Sequence, residues 1–531
     1  MIFKSIKSNL LLICLLGFVA HSFMLSAPFK ILDDTYSIVE NEQIKDVSYL
    51  DDIFTSSYFK RSGFYRPLVY VSYMVDYHLF GLNPLFYHLS NLLLHLATAI
   101  LAFFLIKALT QSQTISFWSG LLFAIHPINS EAVWNIPDRA IILSTFFALA
   151  SFLSFITAMK GRTKGSQVAL LSVSIVCFVL SVFSKESGMM VPGVLISYIF
   201  ICRKESRSWV MGITPFFIII GMFMILRKTL MIDQVYFART PIEWILGVLS
   251  FLRGGIDYFR LFIFPGDLYF DRSIAMLGGF LNMTVVSVML FYGCLSAVVY
   301  RYRLKFKPIH WFLLLWVIIE LASVSQIFVS IGVGPGYISV AEHFVYPASI
   351  AIFALIVMGV ARLLILNQER NIVRASIVKC IVGGMIAFLF LTTIQQSTLA
   401  RVPILTYERS LSINPNNNRI NIAMAMELIQ AQRFAEAEVY LRQSLKLDPF
   451  SVPNQIALGK VLCDQGYYWE GIEVYKIIGA TEGNKVVLKN NLKLTYPLAI
   501  KQYKQLVHRY PDNTMYQNRL SLLLQRMAGA E

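Results

Sequence analysis

Apolar windows close to the roughly 17 to 25 residues that cross a bilayer recur along the chain as far as residue 396. They fall at about 9–26, 85–106, 115–133, 140–159, 167–184, 188–202, 208–226, 277–300, 310–330, 343–366 and 376–396. A chain of this kind is a polytopic bundle of helices, because a helix satisfies its own backbone inside lipid. Of the 531 residues 56% are hydrophobic and 15% charged, against about a quarter charged in soluble domains. The net charge of +15 would suggest nucleic acid in a soluble protein. In a membrane chain it reads as cytoplasmic loop charge, and no nucleic-acid partner is expected. The six cysteines lie mostly in apolar runs with no CxxC spacing, so neither a disulfide framework nor a zinc site is suggested.

Basic clusters orient the spans. Lys4/Lys7, Lys107, Lys160/Arg162/Lys164, Arg203/Lys204/Arg207, Arg301/Arg303/Lys305/Lys307 and Arg362/Arg370/Arg374/Lys379 occupy every second loop, which marks one side as cytoplasmic. An even number of crossings must then separate the clusters at 203–207 and 301–307, although three apolar stretches lie between them. The stretch 242–264 carries Arg253, Asp257 and Arg260 on one helical face and reads as a re-entrant or interfacial amphipathic helix. About eleven spans result, with the N-terminus inside and the C-terminus outside. The outer loops are 27–84, 227–276 and the stretch 331–344.

Beyond residue 397 the composition turns ordinary and the sequence repeats. Asn414-Pro415 and Asp448-Pro449, Phe434 and Tyr468, Ala437 and Gly471 each recur at an interval of 34 residues, the tetratricopeptide period. The chain therefore divides into a membrane domain, 1–396, and a repeat domain, 397–531. The fold class is all-α: a helix bundle followed by an α-solenoid whose groove suits a peptide or protein partner.

The first outer loop reverses the charge bias. Residues 31–52 hold Asp33, Asp34, Glu40, Glu42, Asp46, Asp51 and Asp52 against the single cation Lys45. Most of these acids need no explanation beyond an outer position. Asp33 and Asp34 follow directly on the first span, where a carboxylate is costly unless used or paired. Such a pair suits a general base for a hydroxyl. A metal is not expected there, because no His or third acid lies at ligand spacing.

Further motifs are Tyr65-Arg66-Pro67-Leu68, Phe80-Gly81-Leu82-Asn83-Pro84, Tyr87-His88-Leu89, Asn91 to His95, His126-Pro127-Ile128, Glu131-Ala132-Val133, Arg139, Lys185-Glu186 and Ala341 to Pro347. With the repeats, this order resembles the transmembrane and tetratricopeptide repeat-containing family of GT-C class membrane glycosyltransferases, related to protein O-mannosyltransferases. The resemblance implies transfer of a sugar, typically mannose, from a polyprenyl-phosphate to a Ser or Thr hydroxyl on the non-cytoplasmic side. Asp33 would be the base of an inverting displacement, and Asp34 would orient it. Arg66, His126, Arg139, Lys185, Glu186, Glu342 and His343 would serve the donor phosphate. No cofactor and no metal are expected besides the lipid-linked sugar. The chain departs from the family pattern in having His343 where Arg is common and Asp138 where Gly precedes the Arg. Histidines in apolar helices are more often packing residues, as His95 is expected to be, and Glu320, costly within a span unless it faces the interior, could pair with Arg253 or Arg260. The short repeat array favours a bacterial inner membrane with the repeats periplasmic. Rival readings are a flippase for lipid-linked sugar and a non-enzymatic, membrane-anchored scaffold.

Overall fold

A computed structural model describes residues 5–58, 63–230, 240–327, 331, 336–370, 375–478 and 485–528. Parts of the three outer loops, 59–62, 231–239 and 332–335, lie outside it. The chain forms two compact units, Met1–Thr406 and Tyr407–Glu531.

The first unit contains α1 (Ile6–His21), α2 (Leu50–Thr55), α3 (Pro67–Phe80), α4 (Pro84–Thr110), α5 (Gln113–Ile125), α6 (Ser130–Trp134), α7 (Arg139–Ala158), α8 (Lys164–Ser184), α9 (Val191–Cys202), α10 (Thr214–Thr229), α11 (Pro241–Ile263), α12 (Met283–Tyr302), α13 (Pro308–Ala322), α14 (Tyr346–Arg370) and α15 (Ala375–Leu399). Among the described residues eight helices are long and apolar enough to cross a membrane, and Gln113–Ile125, Glu186–Cys202 and Pro308–Ala322 are shorter apolar helices. Together they account for the eleven windows. Helix α11 is the amphipathic exception: it buries Leu246 and Leu249 against Leu277 and Val285, and Phe251 and Tyr258 in the main core.

Two windows end early. The 115–133 window breaks at His126, whose extended backbone precedes Pro127; the ring then accepts the Ile128 N–H and starts a short 3-10 turn. The 310–330 window stops at Ala322. Proline opens α3, α4, α9, α10 and α13 within their first turn, where its missing N–H costs nothing. Helices α7 and α8 are laced by Ser144 with Ser181 and Ser151 with Ser174, at 3.2 and 3.1 Å, small residues that let helices approach closely in lipid.

The all-α expectation needs one addition. Ser273–Ala275 (β1) pairs antiparallel with Tyr337–Ser339 (β2), with Ser273 opposite Ser339. This ladder ties the loop after α11 to the loop before α14. Gly254 lets α11 pack against it, since a Cβ there would lie 2.6 Å from Val340 Cγ1.

The expected domain division at 397 falls inside helix α15, and Thr406 still bonds back to the Leu399 carbonyl at 2.9 Å. The helices that follow are α16 (Pro403–Ile413), α17 (Asn418–Gln430), α18 (Phe434–Leu447), α19 (Val452–Asp464), α20 (Tyr468–Ile477), α21 (Lys485–Arg509) and α22 (Thr514–Ala528). From α17 to α22, each helix packs against the next, and Ile472 of α20 joins Tyr496, Ala499 and Ile500 of α21 in one apolar cluster. The repeat is visible in the turns. Gln432 (φ 59°) and Gly466 (φ 84°), 34 residues apart, are both left-handed. After each, the next N–H bonds back to a leucine carbonyl at 2.8 Å, Arg433 to Leu428 and Tyr467 to Leu462. The left-handed turn costs Gly466 nothing and Gln432 something.

Candidate functional site

Asp33 and Asp34 leave the first span on a turn that widens into one π-helical turn, Thr35–Val39. Asp33 is half-buried and Asp34 fully buried. Asp34 accepts the Lys30 backbone N–H at 2.9 Å, and the Lys30 ammonium lies 4.1 Å from the centre of the Trp134 ring. The other loop acids do local work: Asp46 caps Ser48 at 2.8 Å, Glu42 pairs with Lys45, and Asp51 and Asp52 sit in the first turn of α2, where carboxylates favour a helix N-terminus. Asp33 is near Tyr58. Burial pushes the Tyr58 phenol well above its usual range, Tyr73 adds to that, Arg66 opposes it, and the Asp33 charge makes a smaller upward contribution.

Arg66 connects this acidic turn to a second polar group. Its guanidinium lies 5.6 Å from the centre of the Tyr58 ring and 4.3 Å from that of Phe64. It donates from Nε and Nη2 to Glu186 Oε2 at 3.2 and 3.0 Å. Glu186 can reach Arg66 because the chain is extended at Lys185, between α8 and the following 3-10 turn. Gly188 permits that turn, since a Cβ there would lie 2.7 Å from the Ser181 backbone. The buried Lys185 ammonium feels the charges of Arg66, Asp138, Glu186 and Glu131. Its pKa is lowered to about 8, by burial first and Arg66 second, with the carboxylates opposing. Among the described residues no carboxylate lies within ion-pair distance of it.

The two departures from the family pattern meet here. His343 Nδ1 lies 3.4 Å from Asp138 Oδ2 and 3.1 Å from Glu131 Oε1. Asn135 donates to Asp138 Oδ2, and the Glu342 N–H donates to Glu131 Oε2, each at 3.0 Å. Burial pushes the Glu131 carboxyl above its usual range, with the Asp271 charge adding to it.

The remaining expected donor residues are placed differently. Arg139 is 1% exposed and spends its donors inside the protein: Nε on Asn91 Oδ1 at 2.7 Å, Nη1 on Asp76 Oδ2, and Nη2 on the Tyr87 carbonyl at 2.8 Å. It is a hub joining α3, α4 and α7. His126 is buried, with Nε2 3.2 Å from the Phe262 carbonyl and Nδ1 accepting from Ile128, so it pins the end of α11. Glu342 is taken up by Arg272, at 3.0 Å from Nη2, and by the Tyr269 N–H at 3.0 Å. The β ladder brings that arginine to it. His95 is a packing residue, 2.8 Å from Tyr346 Oη and 3.2 Å from the Ala124 carbonyl. Glu320 pairs with neither expected arginine: it accepts from Trp316 Nε1 at 3.0 Å, while Arg260 makes a two-pronged pair with Asp267 at 2.7 and 2.8 Å.

Sequence reasoning passed over Glu131 as a site residue, and Arg272 and Lys30 altogether. Glu131 stood in a quoted motif, and its apolar neighbours Ala132 and Val133 were the available sign of burial. A small cavity of about 20 Å³, room for little more than a water molecule, adjoins the cluster at Ser187 and Gly188 and is lined further by Leu149, Phe152, Val194, Trp316 and Glu320.

No protein-family model matches the chain. A protein O-mannosyl-transferase of Caenorhabditis elegans is 23% identical over 459 residues, covering 83% of this chain and 63% of that protein. Human protein O-mannosyl-transferases TMTC1 and TMTC3 are 31% and 29% identical over 193 and 175 residues, about a third of this chain and about a fifth of theirs. Among solved structures, the Archaeoglobus fulgidus oligosaccharyltransferase tethered with an acceptor peptide aligns with TM-score 0.45 at 12% identity, over 81% of this chain and 58% of that one. ArnT from Cupriavidus metallidurans bound to undecaprenyl phosphate aligns with TM-score 0.43 at 10% identity, over 80% and 81% of the two chains. The chain is thus similar to the protein O-mannosyl-transferases of the transmembrane and tetratricopeptide repeat-containing family, and spans less than two thirds of the length of those relatives.

Proposed function

We propose that the protein is a membrane glycosyltransferase that moves a sugar, mannose by its resemblance, from a polyprenyl-phosphate to a Ser or Thr hydroxyl. The observation that carries this reading is the juxtaposition of a half-buried carboxylate, Asp33, with two cations through one ring: Asp33 lies near Tyr58, the Tyr58 ring centre is 5.6 Å from the Arg66 guanidinium, and the Arg66 charge reaches Lys185. In the reaction Asp33 takes the acceptor proton as the hydroxyl oxygen bonds to the anomeric carbon. The bond from that carbon to the phosphate oxygen breaks, configuration inverts, and the lipid phosphate leaves. Lys185 and Arg66 face the charge that grows on it, with Glu186 holding Arg66 in place. Asp34 fixes the turn that carries Asp33. The repeat unit holds the acceptor segment. The site faces the periplasm of a bacterial inner membrane, opposite the basic loops.

Purified protein incubated with polyprenyl-phosphate mannose and a Ser/Thr-rich peptide is expected to yield glycosylated peptide by mass spectrometry. Movement of the lipid across vesicles with no product on any acceptor would replace the transferase reading by the flippase.

A further inference from the structure

We infer that Glu131, Asp138 and His343 form a binding site for one divalent transition-metal ion, Zn²⁺ or Mn²⁺. The three side chains come from the segment after α5, the turn before α7 and the turn before α14, and one donor atom from each lies within 4.8 Å of the others. The separations to the imidazole are 3.1 Å to Glu131 and 3.4 Å to Asp138. Bonds of about 2.0–2.2 Å place tetrahedral donors roughly 3.3–3.6 Å apart, so the second separation fits a coordination edge and the first is short of it by about 0.2 Å.

The surroundings orient the donors as ligands are oriented. Glu131 has its second oxygen held by the Glu342 N–H, which leaves Oε1 toward His343. Asp138 is steadied by Asn135. Such outer contacts fix first-shell groups and tune affinity.

Charge points the same way. The nearby cations Arg66 and Arg272 are spent on Glu186 and Glu342. Among the described residues Lys185 is a further cation near the two buried carboxylates, and no direct ion pair joins it to either. With His343 neutral, as a metal ligand must be, a divalent ion compensates two carboxylates at a depth where uncompensated charge is costly. The imidazole among the donors favours Zn²⁺ over Mg²⁺ and Ca²⁺, which prefer oxygen alone, while the two carboxylates also suit Mn²⁺. Three protein donors leave a position for water or for an oxygen of a phosphate ester. The site uses Asp138 and His343, the two positions at which this chain departs from the family it resembles.

The test is direct binding to the full chain in detergent, stripped with chelator and titrated with ZnCl₂ or MnCl₂ against a competing indicator. One ion per chain is expected, with affinity weakened at least tenfold in Asp138→Asn and in His343→Gln. Melting temperatures measured without metal should show both variants folded; Glu131→Gln, which could disturb the Glu342 backbone, is the secondary variant. X-ray absorption of the zinc form should show only nitrogen and oxygen ligands at about 2.0–2.2 Å. Absence of saturable binding, or equal binding by wild type and both variants, overturns the site. The transferase reading stands apart from it. Sugar transfer by a protein that binds no ion overturns the metal site alone, whereas saturable, variant-sensitive binding upholds it even where no transfer occurs.

Discussion

Two polar networks sit within one membrane unit, and they are built oppositely. Around Arg139 the network is closed: Asn91, Asp76 and the Tyr87 carbonyl take its donors, the ring of Tyr73 lies 4.7 Å away, and Ser90 takes up the other Asp76 oxygen at 2.8 Å. Around Lys185 the network is open. Arg66 and Glu186 are partly exposed, and Lys185 is surrounded by charges it does not touch. A closed network of buried charge can only hold helices together, because every group is spent. An open one keeps donors and charge for something that arrives.

The largest effect should come from breaking the closed network. Arg139→Leu leaves Asp76 buried and unpaired, which costs about 3–5 kcal/mol, so yield and melting temperature should collapse. Arg139→Leu with Asp76→Leu should recover much of the loss. If Arg139→Leu melts like wild type, the hub reading fails and Arg139 becomes a donor-site candidate again.

A smaller effect, confined to function, is expected from the open network. Lys185→Met removes one charge-assisted contact worth about 1.5–3 kcal/mol, so the donor KM should rise roughly 10- to 100-fold with little change in melting temperature. Lys185 is protonated below its lowered pKa of about 8. Donor affinity should therefore fall as pH rises through that value, and Lys185→Arg should remove the inflection, since a guanidinium stays charged. A donor KM flat from pH 7 to pH 9.5 in wild type would separate Lys185 from the phosphate.

Gly188→Ala tests whether the turn between α8 and α9 is what keeps the second network open. The added Cβ meets the Ser181 backbone, and overpacking of this kind costs about 1–3 kcal/mol. A modest drop in melting temperature with a disproportionate rise in donor KM is expected. Unchanged kinetics would detach the turn from the site.

The closed network was half legible in the sequence. Arg139 stood out as a charge at an outer span boundary, but its partners Asp76 and Asn91 lie 63 and 48 residues away, so a structural hub and a phosphate ligand looked alike. Spans and repeat helices were legible because length and period are local signals; the helix Phe434–Leu447 can be read from the 34-residue repeat. The β ladder was not legible. Its strands have three residues each and lie more than 60 residues apart, so nothing local marks them, and the Arg272–Glu342 pair they align stayed hidden. The apolar window 115–133 ran straight through His126-Pro127, although extended backbone before proline is the local signal for the break found there. Asp138 and His343 were noticed as departures one at a time, and only the fold brings them together.

The central claim, that the open network with its acidic turn performs the chemistry while the closed one holds the scaffold, is tested most directly by Asp33→Asn. Melting temperature and sugar-transfer rate per folded molecule should be measured on one preparation. Loss of a general base costs about 10²- to 10⁴-fold, so the rate should fall by at least 10² while the melting temperature stays at the wild-type value. Full transfer rate in folded Asp33→Asn would contradict the account.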